Sequence, residues 1–125
     1  MLKAELDVNG KTVTVLSCHM GLNDDERVSA VVTICSELEK ILTPVILMGD
    51  FNMPPDNTIL DPIRTRLRDV SAGFACEKCH TFPTDKPRTK IDYIFVSKDF
   101  EIINADIPGI SSSDHLPHTG EIRLK

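Results

Sequence analysis

At 125 residues, 41% hydrophobic and 26% charged, the chain has the size and balance of one soluble globular domain and not of a disordered segment. Its net charge of −5 argues against a general duplex binder, which needs cations for phosphate, yet leaves room for an enzyme that meets phosphate through a bound cation. No apolar run approaches a membrane span, and MLKAELDVNG has no signal-peptide core, so the expected location is the cytoplasm.

The first element is a half-buried strand over residues 3–8, where Ala4, Leu6 and Val8 alternate with Lys3, Glu5 and Asp7. Asn9-Gly10 tolerates positive φ at both positions and predicts a hairpin into a returning strand, TVTVLSC, at 12–18. Residues 24–42 predict a helix with Val28, Val31, Val32, Cys35, Leu38 and Leu42 on its apolar face, capped by Asn23 or Asp24. Residues 45–49 follow as a buried strand, and a shorter helix is expected within 57–69. Further strands are expected at 91–96, IDYIFV, more weakly at 101–107, and at 119–124. Strands dominate, with two helices inserted between them. The pattern predicts a layered α/β (α+β) fold, a sheet with helices on one face and apolar surface left on the other. No repeat or linker divides the chain, so 1–125 is read as one unit.

Several of these strands end in residues of one chemical kind. The second strand runs into Cys18-His19, the central one into Asp50 and Asn52, IDYIFV begins at Asp92, and SSSDHLPH before the last strand holds Asp114 and His115. Folds place chemistry at such ends. Carboxylate, amide and imidazole are the groups phosphoester cleavage uses: one orients water or a metal, one contacts phosphate, one carries a proton. Taken singly, each residue is equally consistent with a turn cap or a structural histidine; their joint occurrence in this order is what carries weight.

The stretches SCHMGLNDDER, ILMGDFNMPPDN, TFPTDKPRTKIDYIFVS and SSDHLPH resemble, in order, the endonuclease/exonuclease/phosphatase superfamily of DNase I-like metal-dependent phosphohydrolases. That resemblance implies a four-layer α/β/β/α sandwich, of which this chain would form the C-terminal portion, with a mixed, mainly antiparallel sheet. It implies a divalent-metal-dependent phosphoester hydrolase using Mg²⁺, or Mn²⁺. By the same resemblance Asp50 orients or deprotonates water, Asn52 and His19 bind the scissile phosphate, and His115 stabilises transition-state charge or transfers a proton. Asp92 fixes the His115 tautomer, and Asp114 serves the metal together with Asp50. The family's usual threonine before the first histidine is Cys18 here.

The resemblance lacks the N-terminal half of the family domain, with its early asparagine and metal-binding glutamate. Two expectations follow: weak or absent turnover by this chain alone, and a second copy or a missing half over the open sheet face. The alternative is an incompetent fragment acting only as an interaction module. The substrate expected is a phosphorylated small molecule in preference to nucleic acid, given the acidic charge and single tyrosine.

Two local features remain. CEKCH at 76–80 fits haem attachment or part of a zinc site, but an unligated loop is preferred because no export signal and no fixed fourth ligand accompany it. KPRTK offers Lys86, Arg88 and Lys90 just before Asp92, read either as a solvated loop or as a cationic rim in which Arg88 meets substrate phosphate.

Overall fold

The computed structural model describes residues 1–125. Its strands are β1 (Leu2–Val8), β2 (Lys11–His19), β3 (Val45–Asp50), β4 (Arg68–Asp69), β5 (Asp92–Val96), β6 (Phe100–Asp106) and β7 (Thr119–Leu124). Its α-helices are α1 (Asp24–Lys40) and the single turn α2 (Asp61–Arg64). Five strands form one sheet in the order β1-β2-β3-β5-β4, and β6-β7 form a separate two-stranded sheet. Only β2 and β3 pair in parallel, across the long connection that α1 fills. No helix is long and apolar enough to cross a membrane.

The pleat decides what lies on each face. Val45 and Leu47 of β3, with Leu16 of β2 and Phe95 of β5, meet Val31, Ile34 and Cys35 of α1 in the larger apolar cluster. Phe51 sits in the same cluster and meets Tyr93 and Phe95 edge-on, each at 5.4 Å between centroids. On the opposite face, Val13, Val70 and Val96 pack with Phe100 and Ala105 of β6, so the β6-β7 sheet forms a second layer. That layer is short. Leu2, Leu6 and Met48 stay exposed beyond it. The expected open face is therefore half covered, because the last two predicted strands leave the main sheet and fold over it.

Two local expectations need correction, the end of α1 and its apolar stripe, and a third, the short helix, is refined. Asn23 caps α1 by accepting from Glu26 N at 2.9 Å, as one reading had it, but the helix ends at Lys40, and Leu42 is 98% exposed in the extended chain after it. Val28 and Val32 face solvent while Ile34 is buried, which shifts the apolar stripe toward Val31, Ile34, Cys35 and Leu38. The helix expected within 57–69 is a 3₁₀ turn at Thr58–Leu60 followed by α2, and the segment then turns into β4 against β5. Pro62 suits the first turn of α2.

Candidate active site

The sheet registers bring the site together. His19 pairs with Asp50 across β2 and β3, and Asp50 pairs with Asp92 across β3 and β5. Three strand ends thus place an imidazole and two carboxylates side by side, on the face opposite α1.

Local backbone makes this possible. Gly49 adopts φ +144°, and a Cβ there would lie 1.9 Å from the Cys18 carbonyl oxygen, so only glycine lets β2 and β3 close up just before Asp50. Asn52 sits at φ 51°, a left-handed conformation that asparagine tolerates better than most residues. Its N–H donates to Asp50 Oδ1 at 2.8 Å, and its side-chain amide donates to the Met20 carbonyl at 2.7 Å. The buried Tyr93 hydroxyl donates to the Met53 carbonyl at 2.8 Å, anchoring the turn from below. Asp50 and Asn52 are therefore fixed from both sides.

His115 arrives from the loop before β7. Its Nδ1 lies 2.8 Å from Asp92 Oδ2 and its Nε2 3.8 Å from Asp50 Oδ2. The ring packs on Phe82 at 4.8 Å, the His115 backbone N–H donates to Ser113 Oγ at 3.2 Å, and Leu116 N donates to the Thr81 carbonyl at 2.7 Å. The carboxylate acceptor at Nδ1 requires the proton there and turns Nε2 toward Asp50. His19 Nε2 lies 3.4 Å from Asp50 Oδ2 on a side chain that is 76% exposed.

The charges shape each other. Burial raises the Asp50 pKa above its ordinary value; the Asn52 N–H works against this, Asp92 adds to it, and the two histidines oppose it. For His115, burial lowers the pKa, but the hydrogen bond and charge of Asp92, with Asp50 and Asp114 beyond, outweigh it and leave a net rise. Asp50, Asp92 and His115 bring ligand atoms within 4.8 Å of one another, a spacing one metal ion can bridge. Two repelling carboxylates fit a hard divalent cation, which takes oxygen ligands and would relieve the repulsion that helps raise Asp50.

The expected site residues divide into two groups. Asp50, Asn52, Asp92, His115 and His19 converge. Asp114 stays exposed outside the three-residue cluster, accepts Thr84 N at 2.8 Å through its carbonyl and reaches His115 only through its charge. Arg88 lines a neighbouring pocket with no member of the cluster. In CEKCH, Cys76 is buried under β6 and Cys79 is exposed, and all four cysteines are free.

Two supporting residues escaped the sequence reading. The buried Thr81 hydroxyl accepts Ile91 N at 3.1 Å and Asp92 N at 3.3 Å. His118 Nδ1 donates to the Asp92 carbonyl at 3.2 Å, with its Nε2 buried and unpartnered. Thr81 precedes Phe82 in the quoted motif, and His118 is the last residue of SSSDHLPH, so both stood in view without a signal separating support from loop.

Together the fold and this strand-end cluster define a DNase I-like domain. The family model described as "Endonuclease/Exonuclease/phosphatase family" matches residues 15–115, and the chain belongs to that family. No curated protein sequence matches it significantly. Among solved structures, it is similar to a mannosyl-6-phosphatase of Bacteroides thetaiotaomicron (20% identity, TM-score 0.80, covering 93% of this chain and 53% of that one). It is also similar to an endonuclease/exonuclease/phosphatase family protein of Leptotrichia buccalis (22%, 0.77, 98% and 53%). A third is the human Nocturnin catalytic domain with bound sulfate (17%, 0.73, 98% and 51%). The chain spans about half the length of the solved structures it matches, 51–53% of the first five.

Proposed function

We propose that this chain carries the hydrolytic centre of a divalent-metal-dependent phosphoester hydrolase, acting by in-line attack of water. The observation that carries the reading is the convergence of Asp50, Asp92 and His115 within 4.8 Å at aligned strand ends. Asp50, its pKa raised mainly by burial, is the base that orients and deprotonates water. His115, held by Asp92 and favoured in its charged form, directs Nε2–H toward charge building on the phosphate. His19 meets the phosphate from the solvent side, and Asn52 offers the amide hydrogen that Met20 does not take.

Asp50 and Asp92 are the oxygen donors the geometry joins, and Asp114 is a further carboxylate beside His115. Bound there, Mg²⁺ or Mn²⁺ would supply charge neutralisation on the phosphate and a lower pKa for water. The acidic net charge and the mannosyl-6-phosphatase among its structural neighbours favour a small phosphoester over nucleic acid. Four free cysteines favour a reducing, cytoplasmic setting.

The half-covered sheet face favours a second reading, an interaction module whose exposed Leu2, Leu6 and Met48 await a second copy or an N-terminal half. Hydrolysis of bis-p-nitrophenyl phosphate and p-nitrophenyl phosphate with Mg²⁺, Mn²⁺ or EDTA separates the two. Turnover that needs the metal supports the enzyme. No turnover, together with concentration-dependent association in sedimentation, supports the module.

A further inference from the structure

Beside the catalytic cluster lies a separate pocket of about 370 Å³ whose lining, two prolines apart, is polar or charged. Lys78, His80, Arg88 and Lys90 face it, against one carboxylate, Glu77. On a chain of net charge −5 this is a local reversal of sign. The four cationic or basic groups stand in different states. Lys90 is 2% exposed and ion-paired with Asp69 Oδ2 at 2.8 Å beside the Ser71 hydroxyl, so it lines the pocket with its charge already matched. His80 Nδ1 donates to the Pro87 carbonyl at 3.1 Å, leaving Nε2 free. The Lys78 and Arg88 side chains make no hydrogen bond or ion pair in the protein, while Glu77 is turned toward Gly73 N at 3.2 Å. Two uncommitted cations, Lys78 and Arg88, beside the free Nε2 of His80 form a cradle for an anion.

The pocket adjoins the catalytic site on two sides. Pro54 in its wall lies two residues beyond Asn52, a reach of at most about 7 Å. Arg88 N donates to the carbonyl of Phe82, whose ring packs on His115. The pocket and the catalytic cluster are thus neighbours through the Asn52–Pro54 turn and Phe82. Pro54 and Pro55 are the only apolar side chains of the lining, and no aromatic ring lines it, so it offers little to a lipid tail and no face for a stacked base.

We propose that this pocket is an anion subsite that holds a second phosphate of the substrate, so that the preferred substrate is a small, polar bisphosphorylated ester. The assignment to substrate rests on the phosphoesterase reading above; the anion site itself does not.

The test is a titration of the full chain with pyrophosphate in EDTA, followed by amide chemical shifts. With the catalytic carboxylates bare, Asp50 and Asp92 repel anions, and the cationic pocket alone attracts them. The expected shifts centre on Lys78, His80, Arg88 and Thr89. Arg88→Ala combined with Lys78→Ala is expected to weaken binding at least about tenfold, whereas Lys40→Ala, which removes one exposed charge at the end of α1, leaves it unchanged. Both replaced side chains are exposed and unpaired, and an unchanged amide spectrum of the free variant confirms its fold. Shifts confined to the Asp50–His115 region, equal affinity in the double variant, or no binding at millimolar pyrophosphate would overturn the subsite. Pyrophosphate binding without metal-dependent hydrolysis would leave the subsite standing and remove the enzyme reading; hydrolysis without pyrophosphate binding would do the reverse.

Discussion

His115 Nδ1 and Asp92 Oδ2 lie 2.8 Å apart, joining a loop before the last strand to the first residue of a central one. The pair raises the His115 pKa above its ordinary value in spite of burial. A raised folded pKa means stability that is fully present below the unfolded value and fades as pH rises through the folded value. Asp92→Asn is expected to bring the His115 pKa down toward or below 6.5 in metal-free buffer, by imidazole carbon–proton NMR. A titration that does not move contradicts the assigned partner.

His118 is expected to respond in the opposite sense. Burial depresses its pKa below 6.5, with Lys90 adding to the effect. Its contribution to stability is present above the unfolded imidazole value and is lost as pH falls through the depressed one. The groups facing it are Lys90, Asp69 and Asp92, whose carboxylates oppose the shift. His118→Val removes the charging step, so chemical denaturation of the variant is expected to lose less stability than the parent between pH 6.5 and more acidic values.

Gly49→Ala is a backbone test. The positive φ and the 1.9 Å approach to the Cys18 carbonyl are expected to cost about 3 kcal/mol or more. Urea denaturation measures it. Because Gly49 immediately precedes Asp50, the Asp50–His19 distance is expected to change too.

Tyr93→Phe keeps the ring contacts with Phe51 and Phe95 but removes the hydroxyl that reaches the Met53 and Lys90 carbonyls. The expected loss is about 1–3 kcal/mol, because buried carbonyls are left short of a donor. A variant as stable as the parent would show that the turn beyond Asn52 is held by other means.

What the sequence made legible follows from how each feature is encoded. Alternation placed β1 and β2, and Asn9-Gly10 fixed their turn, because those signals are local. The strand into Asp50 was visible as a buried run ended by glycine and prolines. The motifs pointed to Asp50, Asn52, Asp92, His115 and His19; the registers join His19, Asp50 and Asp92, and hydrogen bonds bring in Asn52 and His115. The apolar stripe of α1 was misread because Val28 and Val32 fit helical spacing as well as Ile34 does, and the sheet alone decides which side it meets. β4 is two residues long and exists only through β5. The displacement of β6-β7 into a second layer leaves no local mark either, since a strand has the same alternation in either sheet. Arg88 looked like part of the site because it stands four residues before Asp92; the structure turns it into the adjacent pocket.

The measurement closest to the central claim is the metal-dependent hydrolysis of bis-p-nitrophenyl phosphate by Asp50→Asn beside the parent chain. The substitution keeps the size of the side chain and removes the carboxylate that meets Asn52, His19 and His115. The account predicts weak turnover that requires Mg²⁺ or Mn²⁺ and a fall of about a hundredfold or more in the variant. Equal rates in the two chains, or a parent rate indifferent to EDTA, would contradict it.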